Sequence, residues 1–345
     1  MTASVDGADE LMHPVGDDPA WSESYYFNFV DPDSKIAMFS RMGFRPNNGW
    51  ADGLHVVYLG GDRVAFTYGR RAIEADLAQY SADLQAGDLR LVCDAPFERW
   101  QICYDGPAQD IADAAILLER RKARPEGWFD PADLSMNIEF AALTEPHYAA
   151  MAAAGGNSPG KRGHFEQSGR FSGSIKLGEE TWQVAGYGVR DKSWGPRDWG
   201  ASTQTSGIDR PATTDDGPAP FVNWFSMNFG PDIALGGACG RAADGEMRGQ
   251  GWYQEDGTST ELNNVHITTQ YKADSIWHTN VHLTAETGHG KPLDIHGRVL
   301  TVCPTKIAMP GGATFVNEGL AEFTMAERTG YGIAEHWHAI KTAPA

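Results

Sequence analysis

The feature that most constrains the fold of this chain is the rhythm of its turn residues. From Trp21 onward, Gly, Pro, Asn and Asp interrupt short apolar or alternating stretches. The interruptions come every roughly 8–12 residues, the spacing of strands in an all-β barrel or sandwich. With 40 Gly and 19 Pro in 345 residues, few windows are long enough for a helix to recover its costly first turn. Residues 54–59 run into Gly60-Gly61-Asp62 and then into residues 63–68, which predicts a hairpin. The same pattern predicts strands over 89–93, 99–104, 134–140, 169–177 and 181–187. It continues over 221–229, 246–254, 264–271, 277–285, 296–303 and 319–324. Residues 73–80 and 107–121 read as helical or irregular, and the Ala-rich residues 146–154 as the best helical turn. Gly/Pro-rich loops span 153–163 and 202–220, and the first divides the chain. The organisation expected is a loosely held polar tail over 1–20, one β domain over 21–160 and a second over 161–345.

The charge balance narrows the partners. With 46 acidic against 28 basic side chains the formal charge is −18, a field that repels nucleic acid and anionic membranes. There is no apolar run of membrane-spanning length, and the chain opens on an acidic stretch in place of a signal peptide. The expectation is a cytoplasmic protein with no membrane insertion and no nucleic-acid partner, a homodimer staying open. Cys93, Cys103, Cys239 and Cys303 have neither metal-binding nor disulfide-framework spacing and read as reduced core residues. Gly186-Tyr187-Gly188 lacks the third glycine and the helix of a dinucleotide fingerprint, and no P-loop is present. No cofactor is expected.

Residues 186–199, Gly-Tyr-Gly-Val-Arg-Asp-Lys-Ser-Trp-Gly-Pro-Arg-Asp-Trp, hold two Arg-Asp pairs, each followed within a few residues by a Trp. A neighbouring guanidinium favours the charged carboxylate, whereas indole burial opposes it, so the two set the pKa between them. Such a segment suits proton transfer on an apolar molecule. Asp191 is the principal candidate acid or base and Asp198 the second, with Arg190 and Arg197 tuning them. Trp194, Trp199, Tyr187 and Trp224 are the aromatic candidates for contacting substrate, since a π cloud stabilises a cationic intermediate. The alternative is an Arg–Asp lattice that pins a loop over a barrel mouth. In His164-Phe165-Glu166-Gln167, strand alternation puts His164 and Glu166 on one face, an acid–base pair able to relay a proton or position water. A rim pair without a chemical role is the alternative there.

Two other motifs carry less. Gly156-Asn157-Ser158-Pro159-Gly160 matches the letters of a hydrolase nucleophile elbow. Pro159, however, lacks the N–H that the oxyanion hole would need. His266, His278, His282, His289, His296, His336 and His338 crowd the end of the chain. Strand alternation sets His278 beside Asn280 and His282, and His336 beside His338. Two imidazoles at i, i+2 can chelate zinc, but no third ligand stands out, and no metal is expected.

The segment 186–199, the His164 segment with its following Gly-Arg-Phe-Ser-Gly, and Glu23-Ser24-Tyr25-Tyr26-Phe27-Asn28-Phe29 together resemble a group of bacterial proteins. That group is related to the AttH-like and carotenoid 1,2-hydratase (hydroxyneurosporene synthase) lipocalin-like superfamily, and the similarity covers residues 21–340. The onward link rests on an Asp-x-x-Trp element, here Asp191 to Trp194. Lys192 stands where the carotenoid hydratases carry His, and their later Tyr-x-Asp pair has its nearest segment at residues 224–228. The resemblance implies an all-β fold of two tandem lipocalin-like barrels packed side by side, with few short helices and a hydrophobic pocket. It also implies chemistry without a redox cofactor. The function expected is a cofactor-independent hydratase, dehydratase or isomerase acting by acid–base catalysis on a terpenoid-like or polycyclic small molecule. The alternatives are a non-catalytic carrier of an apolar ligand and, more remotely, a zinc enzyme built on the late histidines.

Overall fold

The computed structural model describes residues 7–74, 77, 82–148, 162–197, 213–214, 217–218, 220–241, 247–309 and 312–341. Contacts divide the chain into two units: Met1–Ile111 with Phe129–Arg197, and Ala112–Trp128 with Asp198–Ala345. The first unit thus extends past residue 160 to Arg197, and residues 112–128 belong to the second.

The first unit is a ring of antiparallel strands. β1 (Trp21–Asp31), β2 (Ile36–Arg45), β3 (Trp50–Tyr58) and β4 (Val64–Ala72) form a meander. β5 (Asp83–Ala86) and β6 (Leu89–Ala95) form a hairpin on the first half of β7 (Arg99–Ile111). β8 (Asp130–Ala142), the two-residue β9 (His147–Tyr148), β10 (Gly163–Leu177) and β11 (Glu180–Pro196) complete it. β11 pairs with β1, and the far end of β7 pairs with β4 through Val64↔Ile111, so the ring closes. Its interior is packed with Tyr25, Phe27, Phe29, Trp100, Phe140 and Phe171 among others. β1 is buried along its whole length, on both faces. The glycines of Gly186-Tyr187-Gly188 allow β11 to lie close to β1: a Cβ at Gly188 would run into the Asn28 carbonyl oxygen.

The second unit contains an up-and-down antiparallel barrel. It runs through β14 (Val222–Asn228), β15 (Ile233–Arg241), β16 (Met247–Glu255) and β17 (Thr258–Tyr271). β18 (His278–Thr287), β19 (Pro292–Met309), β20 (Gly312–Met325) and β21 (Arg328–Lys341) follow, and β21 returns to β14. The short β12 (Thr213–Thr214) and β13 (Gly217–Pro218) pair apart from it. Phe225, Met227, Leu235, Tyr253, Leu283, Ile295 and Phe323 belong to its core. Every strand predicted from turn spacing is present. Residues 107–111 are strand, not helix, and only one-turn 3-10 segments follow, at Ala114–Leu118 and Arg121–Ala123. Of the Ala-rich residues 146–154, His147 and Tyr148 are strand and residues 149–154 lie outside the described residues. The four cysteines are free; Cys239 and Cys303 are buried, whereas Cys93 and Cys103 are partly exposed.

From Gly7 on, the N-terminal segment is not a trailing tail. Arg190 and Lys192 point into the first ring, where an unpaired cation would cost several kcal/mol, and the segment supplies their partners. The Arg190 guanidinium donates to both Glu10 carboxylate oxygens at 2.6 Å and to Gln167 Oε1 at 2.7 Å. Lys192 Nζ donates to Glu23 Oε1 and to the Leu11 carbonyl, both at 2.6 Å. His13 lies 2.9 Å from the same Glu23 oxygen and stacks on Trp194 at 3.9 Å between ring centres. Tyr148 donates to Asp9 at 2.7 Å. Burial works against the Glu23 carboxylate, but Lys192 and His13 outweigh it and hold its pKa below the usual value of 4.5.

Glu10→Gln should therefore destabilise the first unit by roughly 3–5 kcal/mol, as expected when one member of a buried ion pair is removed, measured by urea unfolding. The contribution of Glu23 should be fully present above pH 4.5 and fade as pH falls through its lower folded value. Stability that rises on acidification over that range would contradict the pairing.

Candidate functional site

Adjacent residues on a strand face opposite ways, and β11 uses this to separate two sets of charges. Arg190, Lys192 and Trp194 face the interior of the ring, while Asp191 and Ser193 face out. The hairpin register sets Glu166 opposite Asp191 and His164 opposite Ser193. On the other side, β1 sets Tyr26 opposite Asp191 and Ser24 opposite Ser193. The outward face of three neighbouring strands thus carries His164, Glu166, Asp191, Ser193, Ser24 and Tyr26 together.

His164 is the centre of this group. Its Nε2 lies 3.0 Å from Glu166 Oε1, and its Nδ1 lies 3.5 Å from Asp191 Oδ2. At that distance Nδ1 has no hydrogen-bond partner although it is buried. Glu166 is 4% exposed, His164 14% and Asp191 17% at the side chain, so all three are largely shielded from solvent. Ser24 and Ser193 share a hydrogen bond at 2.9 Å beside them.

The electrostatics single this histidine out. Burial pulls His55 down to about 3, His278 to about 4 and His338 to about 3, and holds His336 well below the usual value. Burial acts on His164 in the same direction, but the Asp191 charge and the Glu166 hydrogen bond outweigh it, and its pKa is raised above 6.5. Asp191 is raised above 3.8 by burial, against the lowering charges of His164, Arg197 and Arg41. An acid and a base held in contact, each with its pKa raised, titrate as a coupled pair.

The other predicted site residues separate from this group. Arg190 is not the partner of Asp191: it lies on the opposite face and pairs with Glu10. Arg197 does act on Asp191 by its charge. Trp194 also faces inward, packed with Trp21 and Phe165, and is 5% exposed. Tyr187 lies on the Asp191 face four residues away, about 13 Å along the strand, with the Arg170 guanidinium 5.8 Å from its ring. Trp224 is on β14 in the second unit, buried, in register with Ala238 and Glu335. Asp198, Trp199 and the segment 156–160 lie outside the described residues. Sequence reasoning missed Ser24, Tyr26 and Ser193, whose part in the site depends on cross-strand register.

Among the described residues, two groups of side chains could offer three ligand atoms to a metal: His164, Glu166 and Asp191 here, and His282, Asp294 and His296 in the second unit. His278, expected on one face with His282, is instead fully buried and bonded to the Ala334 carbonyl at 2.8 Å. The β17–β18 register shifts between Gln270 and Tyr271, which breaks the simple alternation there.

Comparison with known proteins places the fold. A family model described as "Domain of unknown function (DUF7064)" matches residues 6–340. No curated protein matches the sequence significantly. Among solved structures, a candidate AttH protein from Nitrosomonas europaea is 13% identical with a TM-score of 0.57, over 94% of each chain. CghA is 11% identical with a TM-score of 0.54, over 95% of this chain and 90% of its own. Kievitone hydratase from Nectria haematococca is 9% identical with a TM-score of 0.50, over 99% and 96%. At these identities the likeness is one of fold, which is all-β and lipocalin-like.

The Asp191 charge and the Glu166 hydrogen bond together raise the pKa of His164 against burial, and the Asp191 share is measurable. In Asp191→Asn, burial would act on the ring with less to oppose it, and the His164 titration followed by NMR should move to lower pH. A titration midpoint unchanged by the substitution would contradict the pairing.

Proposed function

The chain belongs to the DUF7064 family, and from that premise we propose that it is a cofactor-independent acid–base enzyme. The reaction class is hydration, dehydration or double-bond isomerisation of an apolar terpenoid-like or polycyclic molecule. The observation that carries the reading is the convergence of Asp191, His164 and Glu166, with the buried Nδ1 of His164 open toward Asp191. Three relatives in fold include one protein named as a hydratase, which supports the class by analogy only.

Asp191 gives or takes the substrate proton, because burial brings its carboxyl nearer to the working range of an acid catalyst than an ordinary carboxyl. His164 resupplies that proton through Nδ1. Glu166 accepts from Nε2, which fixes the ring orientation and supports its charged form. Protonation of a double bond leaves a cationic carbon, and the remaining carboxylate charge stabilises it. The three side chains face away from the packed interior of the ring, among the buried Ser24, Tyr26 and Ser193, and on this reading the substrate lies on that outer side of β10 and β11.

The test is mass spectrometry of a panel of terpenoid alkenes and polycyclic phenols incubated with the protein in deuterated water. Deuterium uptake, or gain or loss of one water, is the expected outcome, insensitive to chelators. Asp191→Asn should cut the rate by roughly 100-fold or more with little change in melting temperature, because Arg190 keeps its Glu10 partner. Saturable binding with no change in any substrate would mean a carrier.

A further inference from the structure

The outer face of the second barrel carries a second constellation. His282 on β18 and His296 on β19 are directly opposite each other in register, and Asp294 sits two residues before His296 on the same face. Their alternate neighbours Val281, Leu283, Leu293 and Ile295 belong to the core, which fixes the three side chains outward. The two imidazoles lie parallel, 3° apart with centroids at 4.3 Å. Both Nε2 atoms converge on one oxygen: His282 at 2.6 Å and His296 at 3.4 Å from Asp294 Oδ1.

We propose that His282, Asp294 and His296 form a binding site for a late first-row divalent cation such as Zn2+, separate from the Asp191 group. Two imidazole nitrogens and one carboxylate oxygen suit such an ion, with a fourth position left to water. The three ligand atoms already lie within 4.8 Å of one another. Tetrahedral coordination at about 2.0–2.1 Å needs them roughly 3.3 Å apart, so the short His282–Asp294 contact has to open while the His296–Asp294 distance already suits it. That adjustment is open to these side chains, which are 40%, 69% and 67% exposed. The paired strands beneath hold the Cα positions in place. On binding, each Nε2 proton moves to Nδ1 or to solvent, and the cation takes its place beside the carboxylate.

The nearest other groups do not compete for the face. Thr268 and Thr324 lie opposite His282 and His296, and Arg298 is engaged by Glu322 at 3.0 Å. A bound cation would clip β18 to β19 and leave an open coordination position to solvent.

Calorimetric titration of the full chain with ZnCl2, above the histidine titration range, should show one site of defined stoichiometry. His296→Ala and His282→Ala should each weaken it by roughly 10-fold or more, whereas His289→Ala, on the adjoining turn, should leave it unchanged. The three targets are exposed, so their variants should keep the wild-type circular dichroism. No saturable binding by wild type would overturn the proposal. So would a titration that persists in His296→Ala and vanishes in His164→Ala, since the ion would then belong to the other cluster.

Discussion

Two cations inside a barrel govern the first unit. Arg190 and Lys192 are buried to within 1% of complete, and neither can be left without a counter-charge there. Their partners come from far away in sequence: Glu10 lies 180 positions from Arg190, and Glu23 lies 169 from Lys192. The N-terminal segment must therefore fold into the ring, and His13, Asp9 and Tyr148 complete the network around it. The rest follows from alternation. A strand that turns Arg190 and Lys192 inward must turn Asp191 outward, and the β10 register delivers His164 and Glu166 to the same place.

This division of labour lets one short segment hold both a satisfied ion-pair network and a titratable cluster on its opposite face. The inward residues are satisfied by bidentate or short charge-assisted bonds and hold the strand in position. The outward group is incompletely satisfied, with His164 Nδ1 lacking a partner and 3.5 Å from Asp191. Groups on strands that are fixed from the other side are pre-organised for chemistry. The contrast with the other buried histidines is the clearest sign: those are held below the usual value chiefly by burial, while His164 is raised by its neighbours.

Much of the fold was legible because turn residues and alternation mark strands that are wet on one face. Several of the strands that turn spacing does not mark lack that contrast. β1 is buried on both faces, β15 reads as Ile-Ala-Leu-Gly-Gly-Ala-Cys-Gly-Arg and looks like a loop, and β21 places Glu335, His336 and His338 among buried positions. His164 and Glu166 were legible as a pair because i, i+2 on a strand is a local rule. Asp191 was legible as a candidate, but for the wrong partner: Arg190 is its neighbour in sequence and faces the opposite way. That His164 meets Asp191 depends on hairpin register, and that Glu10 meets Arg190 depends on long-range closure, neither of which is written locally. The His282–His296 pair was hidden for the same reason, since its two histidines lie on neighbouring strands and meet only through their register.

The central claim is that substrate meets the outward face of β10 and β11, not the interior of the ring. A crystal structure of the protein with an apolar ligand recovered by co-purification tests it most directly. Ligand density within hydrogen-bond reach of Asp191 and His164 is the result expected. A ligand lodged inside the ring among Tyr25, Trp100 and Phe140, with the Asp191 face empty, would contradict it.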